Sequence, residues 1–394
     1  MGRIEQKIYY TYNDLTIQPG VISHIQHRSE CIPWDDEGKL PLFTAPMNTV
    51  INKDNFDLFE ANNIHAILPR TESLEDRIRY STNGKWAAYS LNEFSDVFCN
   101  EDNKLPTDNK LKALIDVANG HMSIIFDLAK KAKSIYGDDL MLMGGNIANP
   151  MTYELYAEAG FWGVRVSIGT GSGCLSSSNT SIHVPIATLI NDMCNVRNNI
   201  HCKYDKIPHI IADGGIRNYR DVIKALALGA DYVMVGSVFA KMLESAASKV
   251  MRRGVSDSGK KIQLRFPIER YRDFSFRNDC WYAKYTDEFI EELKSKGRAS
   301  EKGEEKAIGE ISATFYGMAS REGQIALNGA KTKTSEGLKK TLKVEYTMSG
   351  WVNNFTDYLR SAMSYTNCHN IKEFNPDNVD GIIISQEAQK SINK

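Results

Sequence analysis

Hydrophobic residues in the first 245 positions alternate between short apolar runs and amphipathic stretches. The apolar runs occupy residues 42–45, 64–68, 113–117, 140–144, 163–168, 209–212 and 232–235. Stretches with helical spacing lie between several of them, such as residues 121–136, 150–159 and 219–228. Strands that alternate with helices predict a parallel sheet covered by helices. The pattern therefore predicts an α/β fold.

Two parallel-sheet architectures fit this alternation. Eight βα units spread over roughly 250 residues would close into a (β/α)8 TIM barrel. An open doubly wound sheet is the competing architecture, but the G-x-G-x-x-G sequence that opens a helix early in such folds is missing. We therefore predict one TIM-barrel catalytic domain over residues 1–394.

Residues 245–312 break the alternation. This stretch is strongly charged and carries a cluster of aromatic residues, and its end, residues 296–306, is nearly free of apolar side chains. We interpret it as an insertion late in the barrel, either a small solvated subdomain or an oligomer contact, and expect its polar end to be a mobile loop.

Charge and composition exclude several classes of protein. The 48 basic and 49 acidic residues of the 394-residue chain nearly cancel, which gives no electrostatic case for binding nucleic acid or an anionic membrane. No apolar stretch is long enough to span a bilayer, and the N-terminus lacks the apolar region of a signal peptide. Seven scattered cysteines without a CxxC pair indicate reduced thiols, so we expect a cytoplasmic protein.

One of those cysteines ends a glycine-rich loop. Gly169, Gly171 and Gly173 alternate with other residues before Cys174, just after the apolar run 163–168. Glycines allow backbone groups to approach a ligand closely, and barrel enzymes place their chemistry at the carboxyl ends of strands. Backbone amides and the Ser176 hydroxyl could then activate the thiol. A glycine-rich loop with an incidental thiol explains the same spacing equally well.

A second motif follows the apolar runs 209–212 and 232–235. Asp213 is followed by a glycine pair, and the second run is followed by a Gly-Ser pair, which together resemble the phosphate-binding turns after the seventh and eighth strands of many barrels. We expect Asp213 to bind a ribose and the turns to bind a phosphate, through Gly214, Gly215, Gly236 and Ser237. Tight turns with a helix-capping aspartate are the alternative for each motif taken alone.

These motifs occur together with others in a recognisable order. The additional segments are Tyr12-Asn-Asp-Leu-Thr, Pro41-Leu-Phe-Thr-Ala-Pro-Met, Asp116-Val-Ala-Asn-Gly, Gly144-Gly-Asn, Phe315-Tyr-Gly-Met, Ser335-Glu-Gly and Leu359-Arg-Ser-Ala-Met-Ser-Tyr. From about residue 9 to residue 374, apart from the insertion, the chain resembles the IMP dehydrogenase/GMP reductase family. The resemblance implies a purine nucleoside monophosphate as substrate and NADPH, NADH or NAD as cofactor.

The resemblance also implies roles for individual residues. Cys174 would attack purine C2, with Ser176 and Glu336 as a proton relay. The remaining substrate contacts would come from Ser172, Tyr316, Met318 and Ala319, beside the phosphate-binding turns and Asp213. The cofactor would contact Asp116, Ala118, Asn119 and Gly120, and the family's potassium site would use carbonyls at Gly169, Gly171 and Cys174. The family further suggests a homo-oligomer, a tetramer.

Within the family, GMP reductase is the favoured activity and IMP dehydrogenase the alternative. Hydrolysis in the dehydrogenases uses an Arg-Tyr pair on a flap, and no such pair lies between Ser320 and Ser335. The short interval between residues 70 and 111 leaves no room for the paired CBS regulatory modules of dehydrogenases. An Arg270-Tyr271 pair occurs only inside the insertion, before the expected place of the flap.

Three positions depart from the family's pattern. Ser176 replaces a threonine, Arg70 replaces a lysine, and Asn48 replaces an aspartate. Arginine keeps the positive charge but cannot exchange a proton near neutral pH. These changes leave two other classes open: a non-catalytic nucleotide-binding barrel and, more weakly, an FMN-dependent barrel oxidoreductase.

Overall fold

The computed structural model describes residues 7–171, 175–255, 261–296, 305–329 and 332–392, without the side chains of residues 176, 252–255 and 261–264. A short strand, β1 (Leu15–Ile17), precedes the barrel. Eight parallel strands then form one sheet: β2 (Leu42–Thr44), β3 (Ile67–Leu68), β4 (Trp86–Tyr89), β5 (Leu111–Ile115), β6 (Leu140–Ile147), β7 (Gly163–Val166), β8 (His209–Asp213) and β9 (Tyr232–Val235).

The sheet closes on itself. Its strand order runs β2-β9-β8-β7-β6-β5-β4-β3, and the two ends meet where Phe43 and His65 form a parallel bridge. The Thr44 amide donates to the His65 carbonyl at 2.9 Å, and the Ile67 amide donates to the Thr44 hydroxyl at the same distance. The closed ring confirms the TIM barrel and excludes the open doubly wound sheet.

Helices follow the barrel strands and cover the outside of the ring. They are α1 (Phe56–Ala61), α2 (Leu74–Thr82), α3 (Leu91–Phe98), α4 (Ser123–Tyr136), α5 (Pro150–Glu158), α6 (Ser176–Thr180), α7 (Ile186–Ile200), α8 (Tyr219–Ala227) and α9 (Ser237–Ala240). Capping residues in the local sequence determine where these helices begin. Ser90 and Glu93 form a capping box at α3, and Asn149 followed by Pro150 begins α5, because these side chains satisfy or replace free backbone amides.

Large side chains fill the inside of the barrel. Phe43, Ile67, Trp86, Leu114, Met143, Ile211 and Met234 are fully or almost fully buried there. Trp162 and Tyr232 pack against them at the end where the strands begin. Since the middle of the barrel is packed, the barrel is a filled core and not a channel between its two ends.

The region after the barrel's last strand forms two further sheets. Its elements are β10 (Lys249–Val255), β11 (Lys261–Arg265), β12 (Tyr271–Arg277), β13 (Cys280–Tyr285), α10 (Asp287–Ser295), β14 (Lys306–Gly309), β15 (Ile311–Tyr316), α11 (Arg321–Asn328) and β16 (Lys339–Lys343). One sheet has the order β11-β10-β15-β16 and the other β12-β13-β14. The first sheet therefore includes β16, which lies beyond the predicted insertion 245–312.

The inserted sheets have a hydrophobic core of their own. Buried residues including Phe266, Trp281, Ile311 and Val344 pack together there. The Trp281 indole, on β13, donates to the carbonyl of Val344, the residue directly after β16, at 2.9 Å. Most of the predicted mobile loop 296–306 lies outside the described residues.

Three elements complete the chain: α12 (Met348–Tyr365), β17 (Gly381–Ile383) and α13 (Gln386–Ile392). β17 pairs antiparallel with β1, which ties the C-terminal segment to the start of the barrel. No helix among the described residues has the length and apolar character needed to cross a membrane. Four of the six cysteines in the described ranges are buried, and all six are free thiols.

Candidate functional site

A cavity of about 550 Å³ lies at the carboxyl ends of the barrel strands. Residues at the carboxyl ends of seven of the eight strands, or just after them, line it, together with residues from β15 to the segment after α11. Twelve of the predicted site residues are in its wall: Gly169, Gly171, Asp213, Gly214, Gly215, Gly236, Ser237, Met318, Ala319, Asp116, Ala118 and Glu336. The cavity therefore brings together motifs that are up to 220 positions apart in the sequence.

The turns after β8 and β9 form one side of the cavity. Gly214 and Gly215 both have positive φ angles, +109° and +73°. A Cβ atom on Gly214 would lie 2.6 Å from the Thr170 hydroxyl, so only glycine fits there. Gly236 and Ser237 follow β9 next to them, where a ligand can reach backbone amides and a hydroxyl. The arrangement has the composition of a phosphate-binding turn.

A buried arginine connects two carboxylates in the cavity wall. Arg165, on β7, donates to Asp213 at 2.9 and 3.0 Å and to Asp116 at 2.6 Å. Asn146, at the end of β6, donates to the same Asp213 oxygen at 2.7 Å. Burial acts to lower the pKa of Arg165, but Asp213 and Asp116 outweigh it and raise that pKa above its ordinary value. The two carboxylates are thus held in fixed positions by one charge.

Glu336 connects the cysteine loop to the segment after β15. Its backbone amide donates to the Ala319 carbonyl at 3.1 Å, and its carbonyl accepts from the Leu175 amide at 2.7 Å. Leu175 directly follows Cys174 in the chain and directly precedes α6. Cys174 and Ser172 lie outside the described residues, as does the side chain of Ser176. The described backbone nevertheless brings Glu336 to the end of the loop that carries the thiol.

Comparison with known proteins agrees with this geometry. A model of the IMP dehydrogenase / GMP reductase domain matches residues 107–261, which include strands β5 to β9 and both loops described above. The inosine-5'-monophosphate dehydrogenase of Chlorobaculum tepidum is 33% identical over 197 residues, or 48% of this chain and 38% of the relative. The GMP reductase of Staphylococcus saprophyticus is 29% identical over 255 residues, which are 61% of this chain and 73% of that protein.

Over residues 107–261 the chain is similar to the IMP dehydrogenase / GMP reductase domain. The dehydrogenase of Borreliella burgdorferi is also similar, with 38% identity over 141 residues, which are 36% of this chain and 33% of that protein. The chain thus matches little more than a third of the length of these dehydrogenases, but almost three quarters of the reductase.

Some residues that the family resemblance suggested lie outside the cavity wall as described. The Tyr316 hydroxyl accepts a hydrogen bond from Asn48 Nδ2 at 2.9 Å, whereas its neighbours Phe315 and Gly317 line the cavity. Asn119 is exposed, and its side chain accepts from the His121 amide at 3.1 Å. Gly120 is buried, and a Cβ atom on it would lie 2.7 Å from the Asn146 carbonyl oxygen. For Asn119 and Gly120 the geometry gives a structural reason for the residue type.

The predicted potassium loop is described only in part. Gly169 and Gly171 line the cavity, and Cys174 lies outside the described residues. The Ile168 carbonyl, which precedes them, is 3.3 Å from His183 Nδ1. Within the described part of the chain, no group of three or more His, Cys, Asp and Glu side chains is arranged to hold a metal ion.

Sequence reasoning missed Arg165, which connects the two carboxylates. A signal was present, since Arg165 is a charged residue inside the apolar run 163–168. A charge in a buried strand needs a partner, because an unpaired buried charge is too costly to keep. Its partners, Asp116 and Asp213, are 49 and 48 positions away, so the sequence could indicate a paired charge but not its partners.

Replacing Gly337 by alanine tests whether activity depends on the position of Glu336 relative to Ala319. A Cβ atom there would lie 2.5 Å from the Ser320 backbone nitrogen, so the segment must move away from Ala319. A shift of about 1 Å can lower activity about a hundredfold, and we expect kcat/KM to fall tenfold to a hundredfold. Gly381→Ala is the control, because its nearest atom is 3.9 Å away in β1. Equal kinetics in the two variants would contradict the prediction.

Proposed function

We propose that the chain is an oxidoreductase of purine nucleoside monophosphates and that it works as a GMP reductase. The observation that carries the proposal is the shared wall of one cavity. That wall contains the phosphate-type turns at Gly214 and Gly236, the paired carboxylates Asp116 and Asp213, and Glu336 at the end of the Cys174 loop. This shared wall supports a single site in which a bound nucleotide and the Cys174 nucleophile would meet.

The turns after β8 and β9 and the fixed carboxylate of Asp213 indicate how the substrate would bind. The turns after β8 and β9 would bind the 5′-phosphate through backbone amides and the Ser237 hydroxyl. Arg165 and Asn146 occupy Asp213 Oδ2, so Asp213 Oδ1 is the oxygen left for a ribose hydroxyl. Met318 and Ala319 would contact the base. A fixed carboxylate binds without being reordered, which favours affinity and orientation.

The proposed reaction passes through a covalent bond to the substrate. The Cys174 thiolate adds to C2 of GMP, and the C2 amino group leaves as ammonia after it receives a proton. When bound, NADPH would supply a hydride to C2, and the carbon–sulfur bond then breaks to give IMP and the free thiolate. The sum is GMP, NADPH and a proton giving IMP, ammonia and NADP. Ser176 and Glu336 would carry the proton to the amino group.

The residues of the cavity wall fit a nicotinamide cofactor on the β5 side. Asp116 and Ala118 line the wall there, and Arg165 holds Asp116 in place. The nicotinamide has to reach the base, which Met318 and Ala319 would contact in the same cavity. NADPH and NADH are both compatible with this wall.

The segment between Ser320 and Ser335 favours reduction over hydrolysis. It forms α11, whose Leu327 lines the cavity, so the segment contributes an apolar side chain there. The Arg270-Tyr271 pair belongs to the inserted sheets, where Arg270 lies 4.8 Å from the Phe289 ring and Tyr271 stacks on Phe266. Within the described residues, Arg270 and Tyr271 do not line the cavity, which supports the reductase over a dehydrogenase that needs a base to activate water there.

A two-direction assay tests the proposed function. We expect the purified protein to consume NADPH or NADH, seen as loss of absorbance at the reduced nicotinamide band, and to release ammonia when GMP is added. The same protein with IMP and NAD should give no reduced nicotinamide. Production of NADH from IMP would establish the dehydrogenase instead. Binding of GMP without turnover in either direction would identify a non-catalytic barrel.

A further inference from the structure

The loop after β5 is fastened to the end of β6 beside the cavity. The Gly120 amide donates to the Asn146 carbonyl at 2.8 Å, and the Asn146 amide donates to the Val117 carbonyl at 3.2 Å. Val117, Ala118 and Asn146 line the cavity. The position of this part of the cavity wall therefore depends on the contacts that hold the two segments together.

His121 adds a side-chain contact to this junction. Its Nε2 accepts a hydrogen bond from the Ala148 backbone amide at 3.1 Å, and its Nδ1 lies 2.9 Å from the Thr152 hydroxyl on α5. A backbone amide can only donate, so Nε2 must carry a lone pair, and Nδ1 is then the nitrogen that carries the proton. The two contacts thus require the neutral imidazole with its proton on Nδ1.

Among the described residues, no charge favours the protonated form of His121. Burial lowers the pKa of His121 from its ordinary value of 6.5. The other ionisable side chains of this junction are Tyr156, which donates to the Gly120 carbonyl at 2.9 Å, and Asp116, which is paired with Arg165. Protonation of Nε2 would place two donors against each other and break the bond to the backbone amide.

We propose that neutral His121 is a positioning residue, which holds the loop after β5 in place for the dinucleotide and releases it when the ring is protonated. The inference rests on the proposed function, in which the cofactor occupies the β5 side of the cavity. His121 does not line the described cavity wall, so its effect must pass through the loop that it holds. Its contacts are with Ala148 and Thr152 and not with the turns that would bind GMP, so GMP binding should be far less affected.

The test compares His121→Gln with the wild-type protein by calorimetric titration of NAD and NADP, without GMP, from about pH 8 to about pH 5, a range that brackets the ordinary histidine pKa. Glutamine can accept from the Ala148 amide through its side-chain oxygen, but it does not titrate. Any titration of the dinucleotide itself is the same in both proteins, so the ratio of their affinities reports on the side chain at position 121.

A histidine with a lowered pKa supports binding above pH 6.5, and that support is lost as the pH falls through its pKa. We therefore expect the dinucleotide affinity of the wild-type protein, relative to His121→Gln, to fall about tenfold at the acid end, because one hydrogen bond to a buried group is lost. His27→Gln is the matched control, since His27 is an exposed histidine before the barrel, and it should keep the wild-type pH dependence.

His121→Ala removes both contacts. It should weaken dinucleotide binding about tenfold even at the alkaline end and raise KM for NADPH, whereas kcat and GMP affinity should change less than about threefold. An affinity ratio between wild type and His121→Gln that does not vary with pH, or an equal loss for GMP, overturns the proposal while the proposed function stands. If the wild-type protein binds GMP but neither dinucleotide at any pH, the proposed function itself fails, so the two failures are distinguishable.

Discussion

Replacing Cys174 by alanine is expected to lower kcat by a factor on the order of 10⁴ or more, with GMP affinity changed only a few-fold. Removal of a covalent nucleophile eliminates the two-step route, and losses of this size are typical for such residues. The phosphate-type turns and Asp213 are untouched, so binding should persist. The measurements are steady-state turnover and calorimetric titration with GMP.

Cys202 supplies the matched control for this variant. It is an exposed thiol just after α7, with its sulfur 3.0 Å from His201 Nε2, and it is distant in the chain from the cysteine loop. Cys202→Ala should turn over normally. Mass spectrometry of the wild-type protein quenched during turnover should also find a nucleotide adduct on the peptide containing Cys174. A Cys174→Ala variant with near-normal kcat would eliminate the proposed mechanism.

Replacing Arg165 by methionine is expected to lower the free energy of unfolding by about 3 to 5 kcal/mol and to weaken both ligands. Removing one partner of a buried ionic group leaves the others buried and uncompensated, which has a cost of this order. Asp116 and Asp213 would repel each other, so the cofactor side and the ribose side lose their geometry together. Urea unfolding and separate titrations with GMP and NADPH measure the two effects.

Arg197→Met separates the stability effect from the binding effect. Arg197 pairs with Asp231 at 2.9 Å at the opposite end of the barrel, where the strands begin. Its loss should reduce stability but leave the affinities for GMP and NADPH unchanged at a temperature where the variant is folded. If Arg165→Met and Arg197→Met weakened the ligands equally, Arg165 would have only a structural role.

The apolar runs predicted most of the barrel but missed one strand. Seven runs correspond to β2, β3 and β5 to β9, while β4 (Trp86–Tyr89) was not identified. The preceding Asn83-Gly84-Lys85 is typical of a turn. The strand itself has only four residues, two of them alanines, so its sequence is a weak indication of a strand. The strand exists because it pairs with β3 and β5, and such pairing cannot be inferred from so short a segment.

The inserted sheets were less predictable than the barrel. β16 (Lys339–Lys343) is largely exposed, carries three lysines and depends on pairing with β15 for its conformation. In the site, glycine spacing identified the turns, because glycine is required by local backbone geometry. The Arg165 network joins residues on β6, β7 and β8 and just after β5, which are far apart in the sequence, so only the folded barrel could specify it.

The hydrogen bond between the Glu336 amide and the Ala319 carbonyl fastens together the two ends of the stretch that contains α11. A stretch with its ends fastened can be exchanged for a longer or different one at small entropic cost, about 0.6 kcal/mol for each doubling of length. Grafting a foreign stretch that carries a water-activating base should therefore leave the barrel intact. Such a graft should redirect the scaffold from the proposed release of ammonia to the consumption of water.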